Sequence, residues 1–149
     1  MLIGDGPSAA DLKALAVDLG LNDYVEFPGR VPDGELIARL STCDVCVNTD
    51  PYNPFNDASV MNKILEYMSL GRPVVQFDLT EGRRSAGEAS AYARRNDADD
   101  LARAITELLD DEERRAKMGR EGYRRMRDLL EWRHQAPILL RAYRRVLAK

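Results

Sequence analysis

The chain has 149 residues, 44% hydrophobic and 32% charged, which is one domain's worth of chain with enough apolar content for a core. Its net charge of −3 and the lack of aromatic residues interleaved with the basic ones argue against nucleic-acid binding. No apolar run approaches membrane-spanning length and no signal-peptide pattern opens the sequence, so a cytoplasmic protein is expected.

In chain order, Met1-Leu2-Ile3 reads as a strand stub running into the tight turn Gly4-Asp5-Gly6-Pro7. Ser8 to Leu19 then reads as a helix with Leu12, Leu15, Ala16 and Leu19 inward and Gly20 as its stop. A second strand, Tyr24-Val25-Glu26-Phe27, leads into Pro28-Gly29-Arg30-Val31-Pro32, and a short helix follows through Glu35 to Leu40. Thr42 to Asn48 is the next strand. The segment from Asn48 to Ala58 is rich in Pro and Asn and reads as an irregular loop. In open α/β sheets such loops leave the carboxyl ends of strands and line the ligand crevice.

Ser59 to Leu70 reads as a helix, with Ser59 as N-cap and Val60, Ile64, Leu65 and Met68 as its apolar stripe. Gly71-Arg72-Pro73 stops it and hands the chain to a buried strand, Pro73 to Phe77. Asp78 to Gly82 reads as a loop, and a last short strand is expected near Ala91-Tyr92-Ala93. Helices are expected over Ala98–Leu109 and Glu112–Leu130, with a final one from Pro137. Short apolar runs alternating with amphipathic helices are the pattern of an α/β domain with a mainly parallel sheet.

Charge is unevenly spread. Residues 1–100 carry 9 basic and 17 acidic side chains, and residues 101–149 carry 13 and 8. The basic end reads as a solvated helix surface, with contact to an acidic membrane surface as the functional alternative.

Ser59, Asn62, Lys63 and Glu66 fall on the polar side of their helix. The amides of a helix start (here Val60 and Met61), with a lysine one turn in, attract phosphate. A carboxylate three residues further on accepts hydrogen bonds from sugar hydroxyls. The pattern therefore points to a nucleotide-sugar pocket.

Rival motifs carry less. Cys43 and Cys46 spell C-x-x-C but lie on an expected strand with no second pair, so they read as core thiols. Asp97-Ala98-Asp99 spells D-x-D but precedes an amphipathic helix, where such acids cap the first turn. Gly4-x-Gly6 lacks the third glycine of a dinucleotide fingerprint, and no nucleophile elbow or Walker lysine is present. Trp132 and His134 read as packing residues where the last helices turn back.

Taken in order, Gly4-Asp5-Gly6-Pro7, Val25 to Val31, Asp44-Val45, Lys63 to Val75 and Asp99-Asp100-Leu101-Ala102 resemble the donor-binding domain of family 4 (group 1) glycosyltransferases of the GT-B fold. The resemblance runs from Met1 to about Tyr143 and implies a Rossmann-like, three-layer α/β/α domain lacking its first β-α unit. It also implies sugar transfer from a nucleotide-activated donor, with retention of configuration and no metal cofactor. Glu66 matches the second glutamate of the family's E-x7-E motif and is the candidate catalytic-site acid, placed on the ribose hydroxyls. Gly4, Gly6, Gly29, Arg30, Val31, Asp57, Ser59, Val60, Met61, Lys63 and Glu81 complete the implied donor site.

The sequence departs from the family in three ways. The first motif glutamate falls at Ala58, leaving Asp57 or Asn56 as substitutes. The strand and helix that carry the family's diphosphate-clamping Arg and Lys, and the acceptor-binding domain, would precede Met1. The expectation is a donor domain, inactive alone, that works with an acceptor domain or a partner chain. The alternative is a non-catalytic donor-binding or scaffold module.

Overall fold

In the computed structural model, which describes residues 1–148, the chain forms two compact units, Met1–Arg39 and Leu40–Lys149. The first is sparse. Helix α1 (Ala9–Asp18) buries only Ala16, while the expected inward residues Leu12, Leu15 and Leu19 stay exposed. Tyr24–Phe27 forms no strand. Instead the Leu2 amide donates to the Glu26 carbonyl (2.9 Å), the Gly4 amide to Gly29 (2.9 Å), and Ile3 pairs with Gly29 in a single parallel bridge. Parallel strands form ladders where both faces are covered, and Tyr24 is 82% exposed. Helix α2 (Asp33–Ser41) carries Arg39, which is bound by Glu35 and Glu26 of the same unit; its last two residues belong to the second unit.

The second unit is built on a parallel sheet of β1 (Cys46–Asn48), β2 (Val74–Phe77) and β3 (Ser90–Ala93), in that order. Cys46 registers with Val74 and Val74 with Ser90. Strand β2 is central and buried along its length, so its alternating side chains feed two cores. Val75 and Phe77 pack with Leu101, Ala104 and Leu108 of α6 (Ala98–Leu109). Val74 packs on the other face with Ile64 and Met68 of α4 (Asn62–Ser69) and with Ala86 of α5 (Thr80–Ala86). Helices therefore cover both faces of the sheet, giving the expected three layers. Burying one side chain such as Ile64 stabilises by about 1.5–3 kcal/mol.

Several boundaries differ from expectation. The Pro/Asn-rich loop contains a short helix, α3 (Pro54–Asp57), in which Asn53 caps the Asn56 amide and Pro54 occupies the first turn. Ser59 does not cap α4. Its hydroxyl donates to the Phe55 carbonyl at 2.6 Å, and α4 begins at Asn62 with Met61 as an N-cap lacking a side-chain bond. Val60 accordingly precedes the helix and is 53% exposed, outside the apolar stripe. The Asp78–Gly82 loop is the start of α5, so Glu81 sits on a helix.

Helix α7 (Glu112–Arg125) runs into a wider π turn (Met126–Leu130), and α8 (Trp132–Leu147) starts before Pro137, which it contains. A proline at the sixth position forfeits its own amide bond to the preceding turn, and its ring crowds the Arg133 carbonyl. Trp132, Leu139, Leu140 and Tyr143 share one exposed stripe of α8, so Trp132, at 67% exposure, is not the packing residue expected. His134 is half-buried, with its Nε2 2.9 Å from the Arg127 carbonyl oxygen. No helix among the described residues is long and apolar enough to cross a membrane.

Two of the basic residues expected on a solvated face close other helices. Arg115 donates to the Leu108 (3.0 Å) and Leu109 carbonyls at the end of α6. Arg125 donates to Ser85 (2.7 Å) and Arg84 (2.6 Å) at the end of α5. Cations at helix carboxyl ends satisfy orphan carbonyls and complement the helix dipole.

Gly71 ends α4 at φ +65, and its backbone meets Gly119 of α7 so closely that a Cβ on Gly119 would stand 2.2 Å from the Gly71 carbonyl oxygen. Gly119→Ala is expected to cost about 1–3 kcal/mol of stability in urea denaturation, because backbone rather than a flexible side chain must move. Gly34→Ala, on α2 with open space around it, should change stability by less than about 1 kcal/mol.

Candidate functional site

The carboxyl ends of β1, β2 and β3 release three segments that are laced together by side chains. At the centre is Asp57, the last residue of α3. Its Oδ1 accepts the Thr80 amide at 2.8 Å and its Oδ2 accepts the Thr80 hydroxyl at 2.9 Å, so it caps α5 from outside. Arg95, just beyond β3, reaches Asp57 Oδ1 at 3.4 Å and donates to the Asp78 carbonyl at 2.8 Å. The same guanidinium lies 4.2 Å from the centre of the Tyr52 ring. Asn96, held at φ +58, exchanges two hydrogen bonds with the Tyr52 backbone, at 2.6 and 3.2 Å.

The Thr80 amide, then the Thr80 hydroxyl and Arg95, hold the Asp57 carboxyl below the usual carboxylate range. Asp78 is likewise lowered, by its bond to Arg83. Of the substitutes for the absent first motif glutamate, Asp57 is thus committed to α5, and Asn56 donates through Nδ2 to the Pro51 carbonyl (2.8 Å). Ala58 is exposed.

Lys63, on the first turn of α4, lies 3.0 Å from Asp50 Oδ2, an ion pair whose direction falls outside hydrogen-bond geometry. Lys63 is therefore already neutralised, and a diphosphate would have to compete with Asp50. The first-turn amides belong to Asn62 and Lys63 rather than to Val60 and Met61. Asn48, the last residue of β1, is fully buried with its Oδ1 unpartnered among the described residues. Such an oxygen at a strand's carboxyl end costs free energy unless a ligand or water donates to it.

Glu66 lies one turn deeper in α4, on the exposed face opposite Ile64 and Met68. Its carboxylate has no partner among the described residues. The acids around it do: Asp50 with Lys63, Asp57 with Thr80, Asp78 with Arg83, and Glu81 with Arg84 at 3.3 Å. Glu81 is thus half-buried in the first turn of α5 and paired, not a loop acid.

The remaining candidates lie in the first unit. Gly4 (φ +141) and Gly29 (φ +72) are joined by their backbone bond, and Gly6 accepts the Ala9 amide at 3.0 Å. Open space surrounds all three glycines, Arg30 is exposed and Val31 half-buried. Cys43 and Cys46 form no disulfide; burial pushes the Cys46 thiol up to about 12, as suits a core residue. Asp97 caps the Asp100 amide at 2.9 Å, the helix-start role expected of the D-x-D pair. Among the described residues no group of three or more His, Cys, Asp or Glu is placed to hold a metal.

Sequence reasoning missed Asn48, Asp50, Tyr52, Arg95 and Asn96. Only the position of Asn48 and Asp50 after an apolar run signals them.

A family model, described as glycosyl transferases group 1, matches residues 1–111, from the first turn to the end of α6 and across both groups of loops. The chain belongs to the group 1 glycosyltransferases. It is 28% identical to 2-deoxystreptamine glucosyltransferase from Streptomyces kanamyceticus, over all of this chain and 38% of that protein. It is 32% identical to the lipopolysaccharide core biosynthesis glycosyltransferase LpsE of Rhizobium meliloti, over 82% of this chain and 34% of that one. This group 1 glycosyltransferase chain thus spans about a third of the length of the curated relatives it matches.

Sucrose-phosphate synthase from Thermosynechococcus elongatus superposes with a TM-score of 0.80 at 24% identity, over 99% of this chain and 38% of that one. The α/β architecture is that of GT-B glycosyltransferases, as the resemblance implied.

The depressed Asp57 carboxyl sets a pH dependence. A group with a lowered folded-state pKa stabilises above the ordinary carboxylate value of about 3.9 and loses that contribution as pH falls through the folded value. Urea denaturation between about pH 6 and pH 3 should show stability falling with pH, and Asp57→Asn should flatten the fall.

Proposed function

We infer that this chain is the nucleotide-sugar donor-binding domain of a retaining, metal-independent hexosyltransferase. The acceptor-binding part is carried by further sequence or by a separate chain. The observation that carries the reading is Glu66: it matches the family's ribose-binding acid and stays unpaired while the acids around it are engaged. A carboxylate with two free oxygens suits the paired hydroxyls of a ribose. The first turn of α4 supplies amides for the diphosphate, with Lys63 exchanging Asp50 for a phosphate oxygen. Within the first unit, Gly4, Gly6 and Gly29 have open space around their backbones, which is compatible with the donor-binding role that the resemblance implies for them and for Arg30 and Val31. Transfer of a hexosyl group is supported by the name of the glucosyltransferase relative.

One observation favours the second reading, a donor-binding or scaffold module without its own chemistry. The residue eight before Glu66 is Ala58, and the adjacent Asp57 is bound to Thr80. The segment ahead of α4 then offers no free carboxylate at the motif position, and the donor's sugar must be held by other groups.

Calorimetric titration with UDP and GDP tests the assignment. Glu66→Ala should weaken the nucleotide it binds by about 1.5–3 kcal/mol, the value of a hydrogen bond to a charged group. Inorganic pyrophosphate, which has no ribose, should be unaffected by the same change, and unaltered nucleotide affinity would remove Glu66 from the site. Chelation with EDTA should leave nucleotide affinity unchanged.

Incubated alone with nucleotide sugars and candidate acceptors, the purified chain should bind donor without measurable transfer. Sustained turnover by this chain would show that the acceptor site lies within it.

A further inference from the structure

The opposite edge of the second unit's sheet carries a second cationic feature that the donor reading does not use. Helix α7 presents Arg114, Lys117, Arg120 and Arg124 along one face, at spacings of three and four residues. Beside this face runs a groove of about 620 Å³, backed by Glu88 and by Ser90, the first residue of β3. The donor-side segments leave the carboxyl ends of the strands; this groove lies at an amino end.

Within it, Arg124 is held in a two-pronged pair by Glu121, at 2.7 and 3.0 Å. The side chains of Arg114, Lys117 and Arg120 have no hydrogen-bond or ion-pair partner among the described residues. Ser90 is occupied, its hydroxyl bonded to Gln76 and the Val74 carbonyl, so it forms a wall rather than a ligand. Arg120 and Arg124 also form the rim of a neighbouring hollow, lined further by Arg72 and Arg127 and by no acid.

With Glu121 bound to Arg124, three cations without partners face a single acid, Glu88, on one concave surface of a protein whose net charge is −3. Their mutual repulsion is unfavourable, and a concave wall focuses their potential outward. The wall is also rigid. Arg115 and Arg125 pin α7 to the ends of α6 and α5, and Gly119 locks it to Gly71. Guanidinium and ammonium groups carried in a row on a fixed helix backbone can converge on the oxygens of a phosphate group.

The geometry points to an anion site in this groove, for a phosphate monoester or diphosphate, either free or on a lipid headgroup. Its occupant is separate from the donor and does not require that the donor assignment be correct.

The test uses the full chain, with inorganic pyrophosphate in calorimetry and with vesicles in co-sedimentation. The vesicles are phosphatidylcholine with and without phosphatidylglycerol. The groove variant is Lys117→Gln with Arg120→Gln, and a charge-matched control is Arg141→Gln with Arg144→Gln on α8. All four residues are exposed, and thermal melting checks that both variants fold. Lys63→Gln removes the donor-side lysine.

The groove variant should lose roughly tenfold or more in affinity, as expected for one lost charge-assisted bond. The α8 control should retain binding, and in a Lys63→Gln background, which removes the donor-side phosphate contact, the groove substitutions should still cause the same loss. Pyrophosphate binding that the groove variant loses identifies a free phosphate as the source, and groove-dependent binding only to phosphatidylglycerol vesicles identifies a headgroup. Absence of both, equal losses in the groove and α8 variants, or loss with Lys63→Gln alone would overturn the site.

Discussion

The second unit depends on how helix α5 is closed. It has seven residues and no continuous apolar stripe, too little for a helix to stand alone in water. Asp57 supplies an anion at its amino end and Arg125 a cation at its carboxyl end, each with the sign the helix dipole favours. Both come from far away in sequence, from α3 and α7. One helix thereby ties the segment after β1 to the far side of the domain, and Arg95 and Asn96 draw in the segment after β3.

The chemistry at the carboxyl edge follows from that closure. Acids and bases there neutralise one another as part of holding three segments in register. What is left over among the described residues is selective: the Glu66 carboxylate, the buried Asn48 and Gln76 oxygens and the first-turn amides of α4. Lys63 is an intermediate case, since its pairing with Asp50 holds the ammonium near the helix start at the cost of an exchange when an anion arrives. The Lys63 side chain is partly exposed, so an arriving anion can reach the ammonium from the solvent side.

The parts of the molecule legible in sequence are those whose causes are local. Asp97 announces α6 because it caps an amide three residues on. The buried run at Val74–Phe77 announces the central strand, and Glu66 stands out through its motif spacing. Ser59 misled because a serine before an apolar run has two options, and here its hydroxyl turns back to Phe55. Helix α5 was illegible because its caps lie 23 and 40 residues away in the chain. The same reason hid the role of Asp57, which looks like a free acid in sequence and is consumed by Thr80 in the fold. The strand expected at Tyr24–Phe27 has the right residue types but only a single bridge to Ile3.

The exposed stripe of α8 has a practical consequence. Trp132, on that stripe, is the molecule's sole tryptophan, so its ultraviolet emission is an optical gauge built into the chain. Any body that settles on the stripe withdraws the indole from water and shifts that emission to shorter wavelength. Contact on this stripe can therefore be followed in the chain's own emission, without adding a label.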